Sequence, residues 1–204
     1  MKKLIVYDCD GVLFNSKKAV LAYYDYVCEK FNLPKIDRNN EDMVNMAMMK
    51  TNEEILSILT DSKEKLNEML DFAKKMNFTK FLDLMEPEEH LIETLEKLKE
   101  NNFKLAIFTN RGYSLHYLLS HFNIDSYFHF KVTSLDVQKA KPHPEGLFKI
   151  FDYFSLKPEN TIYIGDSETD YMAAKASMTP FIGYKKKFED SIFMSRHDEI
   201  FKYI

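Results

Sequence analysis

The stretch Leu4-Ile5-Val6-Tyr7-Asp8-Cys9-Asp10-Gly11 opens with an apolar run and ends in two acids and a glycine. Its first four residues are continuously apolar rather than alternating, which is typical of a strand buried on both faces of a parallel sheet. Comparable runs lie at 105–108 and 161–164, and weaker ones at 130–133 and 180–183. We therefore predict a sheet whose first strand ends at Tyr7, directly before the acids.

Between these runs the apolar residues change to the spacing of three and four that marks one face of a helix. Such stripes cover 91–98, 115–122, 147–154 and 172–176, and Pro87 suggests the start of the first. Strands that alternate with helices predict an α/β fold with a doubly wound, Rossmann-like, mostly parallel sheet.

One long stretch interrupts this alternation. Residues 15–85 contain successive helical stripes and no convincing strand, and most of the 11 methionines fall there. We predict an all-helical domain at 15–85, inserted into an α/β core made of 1–14 and 86–204.

The composition limits the partners of the chain. It has 204 residues, with 28 basic against 32 acidic side chains and a net charge of −4. No overall positive field favours a nucleic acid or an anionic membrane. The apolar run after Lys3 is too short for a signal peptide or a membrane span, and two cysteines make no disulfide framework. We therefore expect a cytoplasmic protein.

Polar side chains follow the three best strands at the edge where a parallel sheet binds its ligands. Asp8 and Asp10 come after the first strand, Thr109 after the second and Asp166 after the third, with Asp170 close behind. Crowded carboxylates repel one another unless a cation intervenes, and hard oxygen ligands suit Mg²⁺. The six histidines lack a zinc-like spacing, and we interpret them as structural or surface residues.

Four motifs in this order resemble those of the haloacid dehalogenase superfamily, and most closely its helical-capped phosphoglycolate phosphatase and β-phosphoglucomutase group. The motifs are Asp8-Cys9-Asp10-Gly11-Val12-Leu13, Thr109-Asn110, Lys141-Pro142-His143-Pro144 and Gly165-Asp166-Ser167-Glu168-Thr169-Asp170. The resemblance spans essentially the whole chain and implies an Mg²⁺-dependent phosphatase that acts on a small phosphorylated metabolite, as a monomer or homodimer.

The resemblance also implies roles for the catalytic residues. Asp8 would be the nucleophile that forms an aspartyl-phosphate, and Asp10 the acid and base for the leaving alcohol and the attacking water. Thr109 would hold a phosphoryl oxygen, with Asn110 beside it, and Lys141 would supply positive charge. Mg²⁺ would be bound by the Asp8 carboxylate, the Asp10 backbone carbonyl and Asp166, with Asp170 as a further or outer ligand.

The substrate is less well defined by the sequence. Thr51-Asn52-Glu53-Glu54 fits a helix capping box, and Lys50 just before it is a candidate substrate-binding residue. Three alternatives stay open: a phosphomutase, which would share every motif; a receiver-like signalling protein; and a non-catalytic protein that binds phosphate. A P-loop nucleotide-binding protein is excluded because its glycine-rich motif is absent.

Overall fold

A computed structural model describes residues 3–204, and its centre is a six-stranded sheet in the order β5-β4-β1-β6-β7-β8, with each neighbouring pair parallel. The strands of this sheet are β1 (Leu4–Tyr7), β4 (Lys104–Phe108), β5 (Phe130–Val132), β6 (Thr161–Gly165), β7 (Phe181–Tyr184) and β8 (Ile192–Met194). A separate antiparallel pair joins β2 (Phe14–Asn15) to β3 (Glu86–Pro87). The five predicted strands are confirmed to within one residue at each end, whereas β8 and the β2–β3 pair are additions.

Helices pack on both faces of the sheet, as the doubly wound prediction requires. The helices are α1 (Lys17–Lys30), α2 (Glu41–Met49), α3 (Asn52–Leu59), α4 (Lys63–Lys75), α5 (Leu91–Glu100), α6 (Ser114–His121), α7 (Glu145–Phe154) and α8 (Glu168–Ala176). Alternate residues of β1 point to opposite faces: Ile5 packs in the core with α5 and α6, and Val6 in the core with α7 and α8. The α/β fold class is therefore confirmed.

Between β2 and β3 the structure is helical. Helices α1 to α4 and a 3₁₀ segment, Phe78–Leu84, fill this part of the chain, and their apolar side chains continue the core on the α5–α6 face. The β2–β3 pairing brings the two ends of the segment together, with Asn15 opposite Glu86. We call α1 to α4 and the 3₁₀ turn the helical segment.

One prediction about a helix start is wrong. Pro87 lies in β3, and α5 begins only at Leu91. The reason is the pairing with the loop that follows β1: Glu88 N donates to Leu13 O over 3.0 Å, which keeps this stretch extended beside β2. Within residues 3–204, no helix is both long and apolar enough to cross a membrane.

Candidate active site

The strand register brings the motif residues to one edge of the sheet. Tyr7, the last residue of β1, lies opposite Ile107 of β4 and Ile164 of β6, so the residues that follow these strands are neighbours. The Asp8 amide continues the ladder by donating to Ile164 O over 2.9 Å. Thr109 is fixed in the same way, its amide donating to Val132 O over 3.0 Å.

Lys141 joins the first and last motifs. Its buried ammonium donates to Asp8 Oδ1 and to Asp170 Oδ1, each over 2.6 Å. Tyr163 on β6 donates its hydroxyl to the same Asp170 oxygen over 2.5 Å. Burying a charge costs free energy unless it is paired and hydrogen-bonded, and here the buried cation and the two buried carboxylates pair with one another.

The electrostatics of this group are set by burial and by crowding. Burial raises the pKa of Asp8 to about 7, the Asp170 carboxylate adds to the rise, and Lys141 opposes it. Burial alone would lower the pKa of Lys141, but the neighbouring Asp170 and Asp8 carboxylates raise it above its usual value. Lys141 therefore stays charged, and Asp8 lies in a crowd of carboxylates that one lysine does not neutralise.

Asp166 completes a cluster that fits a metal ion. Oxygens of Asp8, Asp166 and Asp170 lie within 4.8 Å of one another. Burial, followed by Asp170 and Asp8, raises the pKa of Asp166 well above its ordinary value. Within the described part of the chain no group donates a hydrogen bond to the Asp166 carboxylate, so its charge has no local partner. An unpartnered carboxylate beside Asp8 fits the hard oxygen-ligand set of Mg²⁺.

Asp170 differs from Asp166 because all its acceptor positions are in use. Its Oδ2 accepts from the Ser167 amide over 3.1 Å and from the Ser167 hydroxyl, while Asp170 N donates back to Ser167 Oγ over 3.3 Å. This capping box starts α8 and orients the carboxylate toward Lys141. The geometry suits Asp170 to hold Lys141 rather than to bind a metal directly.

Gly11 is the residue that lets the first motif approach Asp166. Its φ of +81° is in the left-handed region, and a Cβ there would come within 2.1 Å of Asp166 Oδ2. Glycine meets both demands because it has no side chain and tolerates positive φ.

Arg111 was not among the predicted site residues, and it is the main addition from the structure. Its guanidinium grips the Asp10 carboxylate, through Nε over 3.0 Å and through Nη2. Nη1 donates to Ser114 Oγ over 2.9 Å, and Cζ lies 5.2 Å from the centroid of the Phe78 ring in the helical segment. Burial would raise the pKa of Asp10, but Arg111 holds it below its usual value. The sequence does offer a signal for Arg111: it is a cation directly after Thr109-Asn110, at an edge of the sheet rich in acidic residues.

Asn110 holds the site together through its side chain. Its Oδ1 accepts from Lys141 N over 3.0 Å, and its Nδ2 donates to Lys141 O over 3.1 Å and to Met49 O over 2.9 Å. Met49 is the last residue of α2, so the Asn110 side chain connects the backbone at Lys141 to the helical segment by hydrogen bonds. Thr109 Oγ1 accepts from Arg111 N over 3.1 Å, which leaves the hydroxyl proton available for another acceptor.

A cavity of about 920 Å³ opens between the strand ends and the helical segment, and Asp8, Asp10, Thr109, Lys141 and Asp166 line it. Lys50 lines it from the other side. The predicted capping box after Lys50 is confirmed, since Thr51 Oγ1 accepts from Glu54 N and Glu54 Oε2 accepts from Thr51 N. Glu54 also binds the Lys50 ammonium over 3.1 Å.

Comparisons with known proteins agree with this geometry. The model of a family described as haloacid dehalogenase-like hydrolases matches residues 5–184. The chain is 31% identical to a protein named pyrophosphatase PpaX from Halalkalibacterium halodurans, over 92% of this chain and 86% of that one. It is 28% identical to a phosphoglycolate phosphatase from Haemophilus influenzae, over 98% and 93% of the two chains. The structure of a HAD-superfamily hydrolase from Geobacter sulfurreducens, 34% identical, superposes with a TM-score of 0.77 over 98% of this chain and 95% of that one. The chain belongs to the haloacid dehalogenase-like hydrolase family.

Proposed function

We propose that this hydrolase is an Mg²⁺-dependent phosphatase that cleaves a small phosphate monoester through an aspartyl-phosphate intermediate. The observation that carries the proposal is the Asp8 carboxylate at the end of β1, held 2.6 Å from the Lys141 ammonium and facing the cavity. Relatives that are named as phosphatases support the same reaction class.

In the first step the Asp8 carboxylate attacks phosphorus, and the bond from phosphorus to the leaving alcohol breaks. Lys141 offsets the negative charge that would otherwise keep a phosphate away from a carboxylate. The Thr109 hydroxyl donates to a phosphoryl oxygen. The backbone N–H of Asn110, which has no acceptor within residues 3–204, supplies a second donor there.

Asp10 transfers the protons in this proposal. Because Arg111 holds the pKa of Asp10 low, the carboxylate must first leave Arg111 and bind a proton from solvent. It then gives that proton to the leaving oxygen and, as a carboxylate again, takes a proton from the water that hydrolyses the aspartyl-phosphate. Because Arg111 binds both oxygens of Asp10, we assign Arg111 as a positioning residue: it would orient this carboxylate, which must leave Arg111 before it can contact the substrate.

The residues that would bind Mg²⁺ are Asp8, Asp166 and the backbone carbonyl of Asp10, with Asp170 acting from outside through Lys141. When bound, Mg²⁺ would neutralise charge on the phosphoryl oxygens and between the crowded carboxylates. The unpartnered Asp166 carboxylate and the raised pKa of Asp8 support this assignment.

We further propose that residues 15–85 act as a cap over a core made of 1–14 and 86–204. The paired strands β2 and β3 would form its hinge, next to the catalytic loop. The contacts of Asn110 with Met49 and of Arg111 with Phe78 would form when the cap closes, so closure would also fix the positions of Asn110 and Arg111 beside the catalytic residues. Closure would exclude water while the intermediate forms, and opening would admit it.

The remaining assignments follow from the reaction. We propose a small phosphorylated metabolite as the substrate, the cytoplasm as the location and a monomer or homodimer as the assembly. Lys50 stays a proposed substrate-binding residue on the cap side of the cavity. Because Glu54 neutralises it, a substrate hydroxyl is a better match than a carboxylate.

The test is release of inorganic phosphate from a panel of phosphate esters by the purified chain, with Mg²⁺ and with EDTA. We expect turnover only with Mg²⁺, and none from the Asp8→Asn variant. Conversion of one phosphate ester into its isomer without phosphate release would show a phosphomutase instead. Turnover by Asp8→Asn at the wild-type rate would overturn the covalent mechanism.

A further inference from the structure

The cavity is much larger than a phosphoryl group needs. At about 920 Å³ it lies near the top of the roughly 300–1,000 Å³ range of small-molecule sites. The phosphoryl group has its place against Asp8 and Thr109, so most of the remaining volume, on the side of the helical segment, is left for the alcohol. The charges and rings that line this volume indicate which alcohols fit.

The cations that line the cavity are largely neutralised already. Lys141 is shared by Asp8 and Asp170, and Arg111 is bound to Asp10. On the side of the helical segment, the Lys50 ammonium lies 3.1 Å from Glu54. A second anionic group on the substrate would therefore need to displace a carboxylate to pair with Lys141, Arg111 or Lys50.

Lys74 is the lining cation for which residues 3–204 provide no carboxylate partner. It is exposed, and its ammonium lies 5.6 Å from the centroid of the Tyr113 ring. Glu53 lines the same cavity, is also exposed, and carries the opposite charge without an ion pair in the described residues. Because Glu53 and Asp71 line the cavity as well as Lys74, the alcohol side has no excess of positive charge.

Uncharged groups make up much of the rest of this side. The rings of Tyr23, Tyr24, Phe78 and Tyr117 line the cavity. The Tyr23 hydroxyl donates to Asn52 Oδ1 over 2.8 Å, and the Asn52 amide nitrogen is left without an acceptor among the described residues. Rings that carry hydroxyls, beside a free amide donor, suit an uncharged molecule with hydroxyl groups and an apolar face.

Resting on the proposed phosphatase function, we infer that the substrate is a phosphate ester of an uncharged alcohol, about the size of a sugar or a nucleoside. An ester whose leaving group carries a carboxylate or a second phosphate is disfavoured, because such a group would lose its hydration in a cavity whose buried cations are already paired and where Lys74, the lining lysine without a carboxylate partner in the described part of the chain, is exposed to solvent. In this respect the chain differs from relatives whose names specify phosphoglycolate or pyrophosphate.

The test compares pairs of esters that differ in one anionic group. The full chain with Mg²⁺ is assayed for kcat/KM on glycerol 3-phosphate against 3-phosphoglycerate, and on 2-hydroxyethyl phosphate against 2-phosphoglycolate. Ribose 5-phosphate and a nucleoside 5′-monophosphate probe size, and p-nitrophenyl phosphate serves as the generic ester. We expect the uncharged member of each pair to be favoured at least 10-fold, and ribose 5-phosphate to exceed 2-hydroxyethyl phosphate.

The outcomes separate the two proposals. Turnover of p-nitrophenyl phosphate with equal or better use of the carboxylate-bearing members would overturn the inference and leave the phosphatase intact. A failure to release phosphate from any ester would overturn the proposed function, and the inference with it.

Two variants test the charge argument directly. Glu54→Gln frees Lys50 while glutamine can still serve the capping box, so we expect the preference for glycerol 3-phosphate over 3-phosphoglycerate to shrink several-fold. Lys74→Ala is the matched control, and it should leave that ratio unchanged. A selective loss of 3-phosphoglycerate turnover in Lys74→Ala would identify Lys74 as a receptor for a second anion and would contradict the inference.

Discussion

Replacing the proposed nucleophile should make the metal-free protein more stable while it abolishes turnover. Asp8→Asn removes one charge from the carboxylates of Asp8, Asp166 and Asp170, which lie within 4.8 Å of one another. Lys141 donates to Asp170 as well as to Asp8, so we expect it to keep one carboxylate partner in the variant. The free energy of unfolding should therefore rise because one buried charge is removed, and the size of the rise should depend on pH.

The sign follows from the pKa of Asp8, which rises to about 7 in the folded protein from about 3.9 in an unfolded chain. The folded state therefore binds this proton more tightly than the unfolded state. Below about pH 4 the group is protonated in both states and has no effect. As the pH rises toward 7, the contribution of Asp8 to the free energy of unfolding of the wild type falls by about 1.4 kcal/mol per pH unit, to a total of about 4 kcal/mol.

The assay is thermal or urea unfolding of wild type and Asp8→Asn in EDTA at pH 5 and pH 8. We expect the stability advantage of the variant to grow between these values and to reach about 4 kcal/mol, or about 10 °C in Tm for a chain of this size. Mg²⁺ should narrow the difference by stabilising the wild type. Asp152→Asn, which changes an exposed carboxylate, is the control and should show no such trend. If Asp8→Asn is no more stable than wild type at pH 8 in EDTA, the electrostatic reasoning fails.

Three further changes test the site. Asp166→Ala should raise the Mg²⁺ concentration needed for half-maximal activity by at least 10-fold, because it removes a proposed ligand; an unchanged requirement in a Mg²⁺ titration would contradict that role. Arg111→Ala should lower kcat about 10²-fold on an alkyl phosphate, with partial recovery in Arg111→Lys. The loss should be smaller on p-nitrophenyl phosphate, because its leaving group needs little help from a proton donor. Equal losses on both esters would argue against a role through Asp10. Gly11→Ala should destabilise the fold by about 1–3 kcal/mol in urea unfolding and raise the Mg²⁺ concentration needed for activity, because the new Cβ would meet Asp166 at a residue with positive φ. Gly112→Ala is the control: its Cβ would lie 3.4 Å from Leu135, and neither quantity should change.

The sheet and its helices could be predicted closely because their signals are local. A strand buried on both faces needs a run such as Leu4–Tyr7, and a helix against the sheet needs apolar residues at spacings of three and four. The same local geometry located Asp8, Thr109 and Asp166 at strand ends. Pro87 was misread because its structure depends on pairing with Phe14, which lies far away in the chain.

The amino-acid sequence by itself determined the fold class, the family and the edge of the sheet at which the proposed catalytic residues lie. Only the tertiary structure decided which charges pair: Arg111 with Asp10 across 101 positions, and Lys141 with Asp8 across 133. It also decided that Glu54 neutralises Lys50 and that Asn110 contacts the helical segment. The physical reason is range. Backbone periodicity is set by neighbours in sequence, whereas a buried ion pair forms only where the completed sheet brings distant side chains together and removes the water between them.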